Sequence, residues 1–434
     1  MLFSSLEFIF RFLPIFLVVY YLVPARAKDH VLFFGSLIFY ALGEPIYVFL
    51  MLTTIIVNYV LARKKYKLNL IILIILDVGS LVFFKYSGVV KSLPLGISFY
   101  TFQVLSYVID VYSGKLEREK RLVDFGAYVA MFPQLIAGPI VKFEQVHDSL
   151  KNERKRCNIK KFEAGLRFFI LGLASKVLLA NRFGQIWENM AERGYDNLPT
   201  AVAWVGILSY TLQIYFDFNG YSMMAIGLGR MLGFSFPKNF NYPYIAKSVT
   251  DFWKRWHITL TDWFREYIYI PLGGNRKGLL RTFLNMFIVW AITGLWHGAG
   301  INFVLWGLYY FVFLVIEKLG LHKFMQKTHI LGRIYTLFIV MCGWALFAIT
   351  DFTELSQYLS SMFAFNGIGD ALIILRDYSL SFGCGIIFST PLFRRFYYRY
   401  KRSFGMSIVL ILLFLACIIQ LTDSIYNPFL YFRF

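Results

Sequence analysis

Two histidines in the chain lie in surroundings where a polar side chain needs a partner or a task. His297 is in "GLWHGAG" and His257 is in "RWHITL", each directly after a tryptophan. Imidazole titrates near neutral pH and can take a proton from a hydroxyl that attacks an activated acyl group, which is general-base catalysis. A titratable side chain in an apolar membrane segment is costly, and this favours a function for His297 over a structural role. The residues around His257 favour neither interpretation.

The glycines near His297 admit two interpretations. On a helix, Thr293 and Gly294 share a face with His297, and Gly298 and Gly300 follow directly. Small residues let a second helix pack closely. They also leave room for a substrate beside the imidazole, and the sequence keeps both alternatives open.

His257 belongs to an unusual segment, residues 234–278, which is too charged to cross a bilayer and too aromatic for a solvated loop. The pattern predicts one helix from Thr250 to Ile270, on which Trp253, His257 and Thr261 share a face. A segment of this kind has to lie against the protein or line a water-filled cavity. We therefore expect a re-entrant or amphipathic region here, followed by the helices of residues 279–319 that carry His297.

Two further polar groups also have alternative explanations. The basic turn "GGNRKG" (273–278) can hold phosphate through backbone N–H groups and Arg276 or Lys277, but such a turn is more often a helix end at lipid headgroups. Asp217 and Asn219 in "YFDFNGYS" can belong to a substrate pathway or to a hydrogen-bonded knot between helices.

No metal site is expected. Neither histidine has a further histidine or a cysteine near it in the sequence to complete a ligand set, and no pair of cysteines has C-x-x-C spacing. There is no G-x-S-x-G elbow and no Walker loop. Three of the cysteines lie in apolar runs and are predicted to be small core residues. The four cysteines are Cys157, Cys342, Cys384 and Cys417.

The composition predicts an integral membrane protein. Of 434 residues, 58% are hydrophobic and 16% are charged, whereas about a quarter are charged in soluble domains. Runs of mostly apolar residues predict about eleven or twelve membrane segments in a single domain, residues 1–434. The N-terminal run is expected to be a retained first span, and residues 353–366 an interfacial amphipathic helix. The segments are 8–24, 30–61, 70–90, 94–112, 122–141, 162–181, 200–233, 279–296, 301–319, 330–350, 371–390 and 405–422.

The formal charge of +19 indicates orientation. Basic loops at 62–68, 115–121, 151–161 and 394–402 are expected to face the cytoplasm, which leaves both termini extracytoplasmic. The same charge can serve an anionic ligand such as a phosphate-bearing cofactor. A nucleic-acid partner is disfavoured because the basic residues are scattered over short loops.

Several motifs together resemble the membrane-bound O-acyltransferase (MBOAT) family, in particular its bacterial alginate O-acetylation branch. They include "LPLGISFYTFQVLSYVIDVYSG" (93–114), "FPQLIAGPIVKF" (132–143), "YFDFNGYSMMAIGLGRMLGF" (215–234) and "FPKNFNYPY". "DFWKRWHITLTDWFREYIYIPLGGNR", "GLWHGAGINFVLWG" and "YNPFLYFRF" complete the set. The resemblance covers essentially the whole chain. It implies an all-α membrane protein with a ring of helices around a central funnel or tunnel.

The resemblance also implies an activity. Acetyl-coenzyme A would be the donor substrate at the cytoplasmic face, with no permanently bound cofactor, and the acetyl group would pass across the membrane toward hydroxyls of a cell-envelope polysaccharide, either an alginate-like exopolysaccharide or peptidoglycan. His297 would be the catalytic base or a transient acyl carrier. His257 would orient the substrate or stabilise the oxyanion. Candidate substrate- or cofactor-binding residues are Trp296, Trp253, Arg255, Arg265, Asn241, Arg276 and Lys277.

The branch further implies a location and a partner. We expect a multi-pass protein of the bacterial inner (cytoplasmic) membrane that works with an extracytoplasmic SGNH-like acetyltransferase. The C-terminal "YNPFLYFRF", from Tyr426, is a candidate relay or docking segment. Within the family, D-alanyl transfer to teichoic acid from a carrier-protein thioester is the alternative. A polar-solute transporter or flippase, or a structural assembly factor for polysaccharide export, is the alternative outside it.

Overall fold

The computed structural model describes residues 2–89, 93–151, 158–423, 427 and 430, and it is built from helices. These ranges contain no β-strand. The prediction of an all-α protein is therefore confirmed. Contacts within the chain divide it into two compact units, Met1–Leu173 with Tyr221–Lys238, and Ala174–Gly220 with Asn239–Phe434. The prediction of a single domain stays a prediction.

The first unit is organised around apolar helices. A close approach lies at Gly165 and Gly227, where a Cβ on Gly165 would stand 2.5 Å from the carbonyl oxygen of Gly227. Only glycine allows two helix backbones to come so near. The helices are α1 (Leu13–Leu22), α2 (Lys28–Gly43), α3 (Tyr47–Leu61), α4 (Lys67–Tyr86), α5 (Ile97–Tyr112), α6 (Leu122–Ala130), α7 (Phe132–Leu135), α8 (Phe143–Lys151) and α9 (Ile159–Ala174).

The second unit contains both histidines of interest. It opens with a π-helical turn, Ser175–Ala180, and it takes the first two thirds of the long helix α11. Its helices are α10 (Asn181–Glu192), α11 (Thr200–Met231), α12 (Val249–Trp253), α13 (Ile258–Phe264), α14 (Leu279–His297), α15 (Ile301–Ile316), α16 (His322–Lys327), α17 (His329–Ala348), α18 (Phe352–Phe363), α19 (Ala371–Asp377), α20 (Ser379–Phe388), α21 (Leu392–Tyr400) and α22 (Phe404–Asp423).

Six helical stretches among the described residues are long and apolar enough to cross a bilayer. Apolar side chains of α4 and α22 remain largely exposed, for example Ile75 and Ile411, as expected of a surface that meets lipid, whereas Thr200–Met231 is mostly buried. The pair α19 and α20 adds a seventh candidate, bent by 74°. The six are Lys67–Tyr86, Thr200–Met231, Leu279–His297, Ile301–Lys327, His329–Ala348 and Phe404–Asp423. The total of eleven or twelve segments and the ring around a funnel stay predictions.

One predicted element differs from the structure, and another is present as predicted. The run 122–141, expected to span, is divided into α6 and the four-residue α7 by a non-helical residue, Met131. The predicted amphipathic helix at 353–366 is present as α18, and the Asp351 carboxylate caps it by accepting the N–H groups of Thr353 and Glu354.

Candidate active site

His297 is the last residue of α14, so its position depends on how that helix is held. A Cβ on Gly294 would lie 2.5 Å from the backbone oxygen of Phe303 and 2.9 Å from the Cα of Val304, both in α15. A Cβ on Gly298 would overlap the ring of Phe303. Of the two interpretations of these glycines, the structure therefore supports close helix packing.

Aromatic rings enclose the imidazole of His297. Its centroid lies 4.9 Å from Trp306 and 5.3 Å from Phe347, and both rings stand nearly perpendicular to it. Trp296 lies 4.7 Å away. The His297 side chain is buried but retains a small exposed fraction. Packing of this kind fixes the plane of the imidazole.

The backbone at His257 corrects the prediction of one helix from Thr250 to Ile270, which is wrong. Helix α12 ends at Trp253, His257 has a left-handed conformation with φ 43°, and α13 begins at Ile258. The break is caused by a neighbouring segment of the chain, because the backbone oxygen of Asn239 accepts the N–H of Ile258. This hydrogen bond replaces the one that the N–H of Ile258 would make in a continuous helix.

A second bond joins the same two segments, because the carbonyl oxygen of Arg255 accepts the N–H of Asn241 at 2.9 Å. Trp253, His257 and Thr261 consequently do not share one helical face. Ser248 caps the start of α12, since its Oγ accepts the N–H of Asp251 at 3.0 Å.

The hydrogen bonds of Asn239 define the tautomer of His257. Asn239 Oδ1 lies 2.9 Å from the Thr259 hydroxyl and within reach of the Thr259 backbone N–H, which can only donate. The same oxygen lies 3.0 Å from Nδ1 of His257. Nδ1 therefore carries the proton and donates, so in neutral imidazole Nε2 presents a lone pair. This Nε2 has no hydrogen-bond partner within the described residues.

Burial keeps His257 uncharged. Its side chain is almost completely enclosed, and desolvation lowers the pKa of His257 to about 3. The Phe218 ring packs perpendicular to the imidazole at 4.7 Å. His257 is thus a neutral hydrogen-bond acceptor at physiological pH.

Both imidazoles line one cavity of about 30 Å³. That volume holds roughly two water molecules. The wall is mostly aromatic and aliphatic, with one carboxylate, Asp217. The lining residues are Ile214, Asp217, Phe218, Trp256, His257, His297, Trp306, Trp344, Phe347 and Leu430. The structure therefore brings together the two histidines that the sequence selected.

Asp217 is part of a buried polar chain, which agrees with its interpretation as a hydrogen-bonded knot. Lys176 Nζ lies 2.7 Å from Asp217 Oδ1 and donates to Asn181 Oδ1 at 2.9 Å. The other oxygen of Asp217 accepts the backbone N–H of Leu430 at 2.9 Å. The sequence analysis missed Lys176 and Leu430. A lysine in an apolar run was the available signal for the first.

Trp253 and Trp296, predicted as binding residues, lie next to the cavity rather than in its wall. Trp253 packs against Trp290 at 4.8 Å and Tyr310 at 4.9 Å. Trp296 contacts both histidine rings, at 6.4 Å from His257. Both tryptophans are buried and support the residues that form the wall.

Arg255 and Asn241, also predicted, hold each other. Arg255 pairs with Asp251, four residues before it, at 2.8 Å, and donates to the carbonyl oxygen of Asn241 at 3.2 Å. Their contacts stabilise the break before His257. Neither residue lines the cavity.

The remaining predicted basic residues lie at the surface. Arg265 is 68% exposed at the side chain and lies 3.8 Å from Asp262. Arg276 and Lys277 are exposed in the turn after α13. None of the three lines the cavity. Binding roles for the predicted residues stay predictions.

Glu317 is a further residue that the sequence analysis missed. It is buried, and its carboxylate accepts the backbone N–H groups of Val249 and Thr250 and the Thr250 hydroxyl, at 2.6–2.8 Å. A carboxylate at a helix N-terminus satisfies N–H groups that have no partner within the helix. Glu317 thereby fixes the start of the segment that leads to His257.

The predicted C-terminal relay segment lies mostly outside the described residues. Of the stretch from Tyr426 onward, Asn427 and Leu430 are described. Its role as a relay or docking segment stays a prediction.

Comparison with known proteins adds family information to this geometry. The family model for MBOAT, the membrane-bound O-acyltransferase family, matches residues 120–350. The chain is 35% identical to the probable alginate O-acetylase of Pseudomonas putida, with all of both proteins covered. It is 34% identical to the peptidoglycan O-acetyltransferase of Helicobacter pylori, over 85% of this chain and 81% of that protein.

A more distant relative transfers a different group. The teichoic acid D-alanyltransferase of Streptococcus thermophilus is 29% identical, over 53% of this chain and 58% of that protein. The range of this chain that the family model matches, residues 120–350, includes His257, His297 and Asp217.

Proposed function

This chain belongs to the membrane-bound O-acyltransferase family, and from that premise we propose that it moves acetyl groups from acetyl-coenzyme A toward hydroxyls of a cell-envelope polysaccharide. It is a multi-pass bacterial membrane protein and an O-acyltransferase. An alginate-like exopolysaccharide and peptidoglycan are the two acceptors suggested by the names of the relatives. The observation that carries the proposal is the small cavity whose wall contains both His257 and His297.

Two routes of acetyl transfer through His297 are compatible with the proposal. The acceptor oxygen attacks the thioester carbonyl carbon while His297 takes the hydroxyl proton, and the carbon–sulfur bond then breaks. The proton passes from His297 to the departing thiolate, so that the products are an ester and a free thiol. In the other route, a nitrogen of His297 attacks the thioester carbonyl carbon, the carbon–sulfur bond breaks and the coenzyme leaves as the thiol. The acceptor oxygen then takes the acetyl group from that nitrogen, and the hydroxyl proton passes to the histidine.

His257 has a defined part in this scheme. Its Nε2 presents a lone pair, and the neutral ring offers no second N–H to a developing oxyanion. We therefore assign it the role of hydrogen-bond acceptor, which orients a hydroxyl in the cavity. The aromatic wall excludes bulk water from the same place and so limits hydrolysis of the thioester.

The size and polarity of the cavity support acetyl over D-alanyl transfer. A volume of about 30 Å³ suits a two-carbon acyl group. A D-alanyl group adds an ammonium ion, which needs a carboxylate when it is buried. Among the described residues, Asp217 is the only carboxylate in the wall, and Lys176 already pairs with it.

The location and the partners belong to the same proposal. Acetyl-coenzyme A would reach the protein from the cytoplasmic side of the inner membrane, where basic loops suit its phosphates. Both termini would be extracytoplasmic, and an SGNH-like acetyltransferase on that side would place the acetyl group on the final polymer. The exposed Arg276 and Lys277 are candidates for phosphate contacts.

Purified protein in detergent tests the proposal. Wild type and His297→Ala would receive acetyl-labelled coenzyme A with alginate oligosaccharides or peptidoglycan fragments as acceptors, in parallel with a D-alanyl thioester. We expect acetyl turnover in the wild type and a loss of about 10²–10⁴-fold in His297→Ala, the range of general-base catalysis. Label trapped on the protein would favour the acyl-histidine route.

The matched control is His329→Ala, which removes an exposed histidine at the start of α17. This variant should keep wild-type turnover. Equal turnover in wild type and His297→Ala would make His297 structural and refute the mechanism. Turnover of the D-alanyl thioester alone would refute acetyl transfer and support D-alanyl transfer instead.

A further inference from the structure

Leu430, close to the C-terminus, is part of the cavity wall. Leu430 lines the cavity together with both histidines and is 7% exposed. Its neighbours in the wall include Ile214 and Phe218 on α11. A leucine in this place occupies volume that an acyl chain would otherwise enter.

The backbone at Leu430 is fixed by a buried charge pair. Its N–H donates to Asp217 Oδ2 at 2.9 Å, and Asp217 Oδ1 lies 2.7 Å from Lys176 Nζ. The side chains of Lys176 and Asp217 are 1% and 3% exposed. A hydrogen bond from a backbone N–H to a carboxylate is among the stronger hydrogen bonds in proteins, because one partner is ionised.

A second anchor holds the same segment three residues earlier. Asn181 accepts from Lys176 Nζ at 2.9 Å, and its amide nitrogen donates to Asn427 Oδ1 at 3.3 Å. One buried ammonium group therefore organises both attachments, through Asp217 to Leu430 and through Asn181 to Asn427. Lys176 itself lies in the π-helical turn Ser175–Ala180, a geometry found frequently at functional sites.

The buried pair fits a positioning task better than a stabilising one. Removing two charges from water is expensive, and apolar residues of similar volume often stabilise a protein as well or better. Position is what such a pair can supply, because its hydrogen bonds have defined directions. Here the bonded partner is the backbone of a residue that borders the reaction cavity.

We propose that Leu430, positioned by the Lys176–Asp217 pair, limits the acyl pocket to an acetyl-sized group. This inference rests on the proposed acetyl transfer and adds a specificity-determining residue to it. Shortening Leu430 to alanine removes three carbon atoms from the wall. Propionyl exceeds acetyl by one carbon and butyryl by two, so the enlarged pocket should accept both.

The experiment compares acyl donors of increasing length. Wild type and Leu430→Ala, in detergent, would receive acetyl-, propionyl- and butyryl-coenzyme A, and kcat/KM would be measured for each. A methylene group in a fitted pocket changes kcat/KM by roughly 10- to 200-fold. We expect the propionyl-to-acetyl ratio to rise about tenfold or more in Leu430→Ala, with butyryl also becoming a substrate.

Two further variants separate pocket size from general damage. Leu410→Ala shortens another buried leucine of the same unit that does not line the cavity, and its donor ratios should equal those of wild type. Leu430→Val removes one carbon and should shift the ratios in the same direction by a smaller factor. It keeps the inference testable if Leu430→Ala does not insert or fold.

The outcomes are distinct. Wild-type acetyl turnover with unchanged donor ratios in folded Leu430→Ala and Leu430→Val would overturn the size limit and leave the proposed function standing. An equal shift in Leu410→Ala would overturn it as well, because the change would then reflect loosened packing. Absence of wild-type turnover with every donor would overturn the proposed function, and the size limit with it.

Discussion

His297 and His257 border the same cavity but are held there by different means. Packing places His297: close contact between α14 and α15 sets the helix end, and Trp306 and Phe347 enclose the ring. Hydrogen bonds place His257, through Asn239 and a left-handed backbone. Ring packing sets the plane of the His297 imidazole, whereas the hydrogen bond to Asn239 also commits one ring nitrogen of His257 and so selects a tautomer.

This difference matches the two roles. A group that gains and loses a proton during turnover benefits from surroundings that hold its ring in a fixed plane beside the substrate. A group that only accepts a hydrogen bond benefits from a fixed tautomer and from burial that keeps it neutral. Variants that remove one means of support at a time should therefore act differently at the two residues.

Among variants that remove a support of either histidine, the largest effect is expected at the hydrogen bond to His257. Asn239→Ala removes the acceptor for Nδ1 of His257, which costs about 1–3 kcal/mol of positioning. At about 1.4 kcal/mol per tenfold, this lowers kcat by roughly 5- to 140-fold. His257→Ala should lose a similar factor. Because the two residues act as one unit, the double variant should be no slower than the slower single variant.

Asn285→Ala is the matched control for this cycle. Asn285 is also buried and donates to the carbonyl oxygen of Gly274, away from the cavity. It should reduce stability but leave kcat near the wild-type value. Multiplicative losses in the Asn239 and His257 double variant would show that the two residues act separately.

A smaller effect is expected when the helix packing that supports His297 is disturbed. In Gly294→Ala the new methyl group meets the backbone of Phe303 and Val304, so α14 and α15 must separate. Overpacking of this kind destabilises by about 1–3 kcal/mol, and thermal unfolding in detergent measures it. The shift also displaces His297, one turn further along α14, so kcat should fall.

Gly383→Ala provides the contrast in another helix. Gly383 lies inside α20, and nothing stands within 4 Å of the position that its Cβ would occupy. Alanine should stabilise this helix by about 0.5–1 kcal/mol and leave kcat unchanged. Equal stabilities of the two alanine variants would contradict the close packing at Gly294.

The same distinction explains what the sequence could predict. The spans 279–296 and 301–319 correspond to α14 and to α15 with its extension, because length and apolar content decide such helices locally. The choice of His297 and His257 rested on residue type and on the family motifs. A pattern along the chain was sufficient for both.

The parts that sequence reasoning missed depend on distant partners. The break before His257 requires the backbone of Asn239, the start of α12 requires Glu317, and the wall at Leu430 requires Asp217 and Lys176. Local periodicity in residues 250–270 favoured one helix, and tertiary hydrogen bonds overrode it. The spacing of residues along the sequence does not predict hydrogen bonds between positions so far apart.

The smallest effect is a pH dependence of stability from His257. The pKa of His257 is about 3 in the folded protein and about 6.5 for an ordinary histidine. Between these values the unfolded chain takes up a proton that the folded protein does not, so stability falls as the pH falls through 6.5. From pH 7 to pH 6 this term should remove about 0.7 kcal/mol.

Thermal unfolding of wild type and His257→Gln at pH 7 and pH 6 isolates that term, because every other titrating group is common to both proteins. The wild type should lose about 0.7 kcal/mol more than the variant. His329→Gln, which removes an exposed histidine, should behave like wild type. Parallel losses in wild type and His257→Gln would mean that His257 can be protonated in the folded protein. Its Nε2 could then donate to an oxyanion, and the assignment of His257 as an acceptor would be wrong.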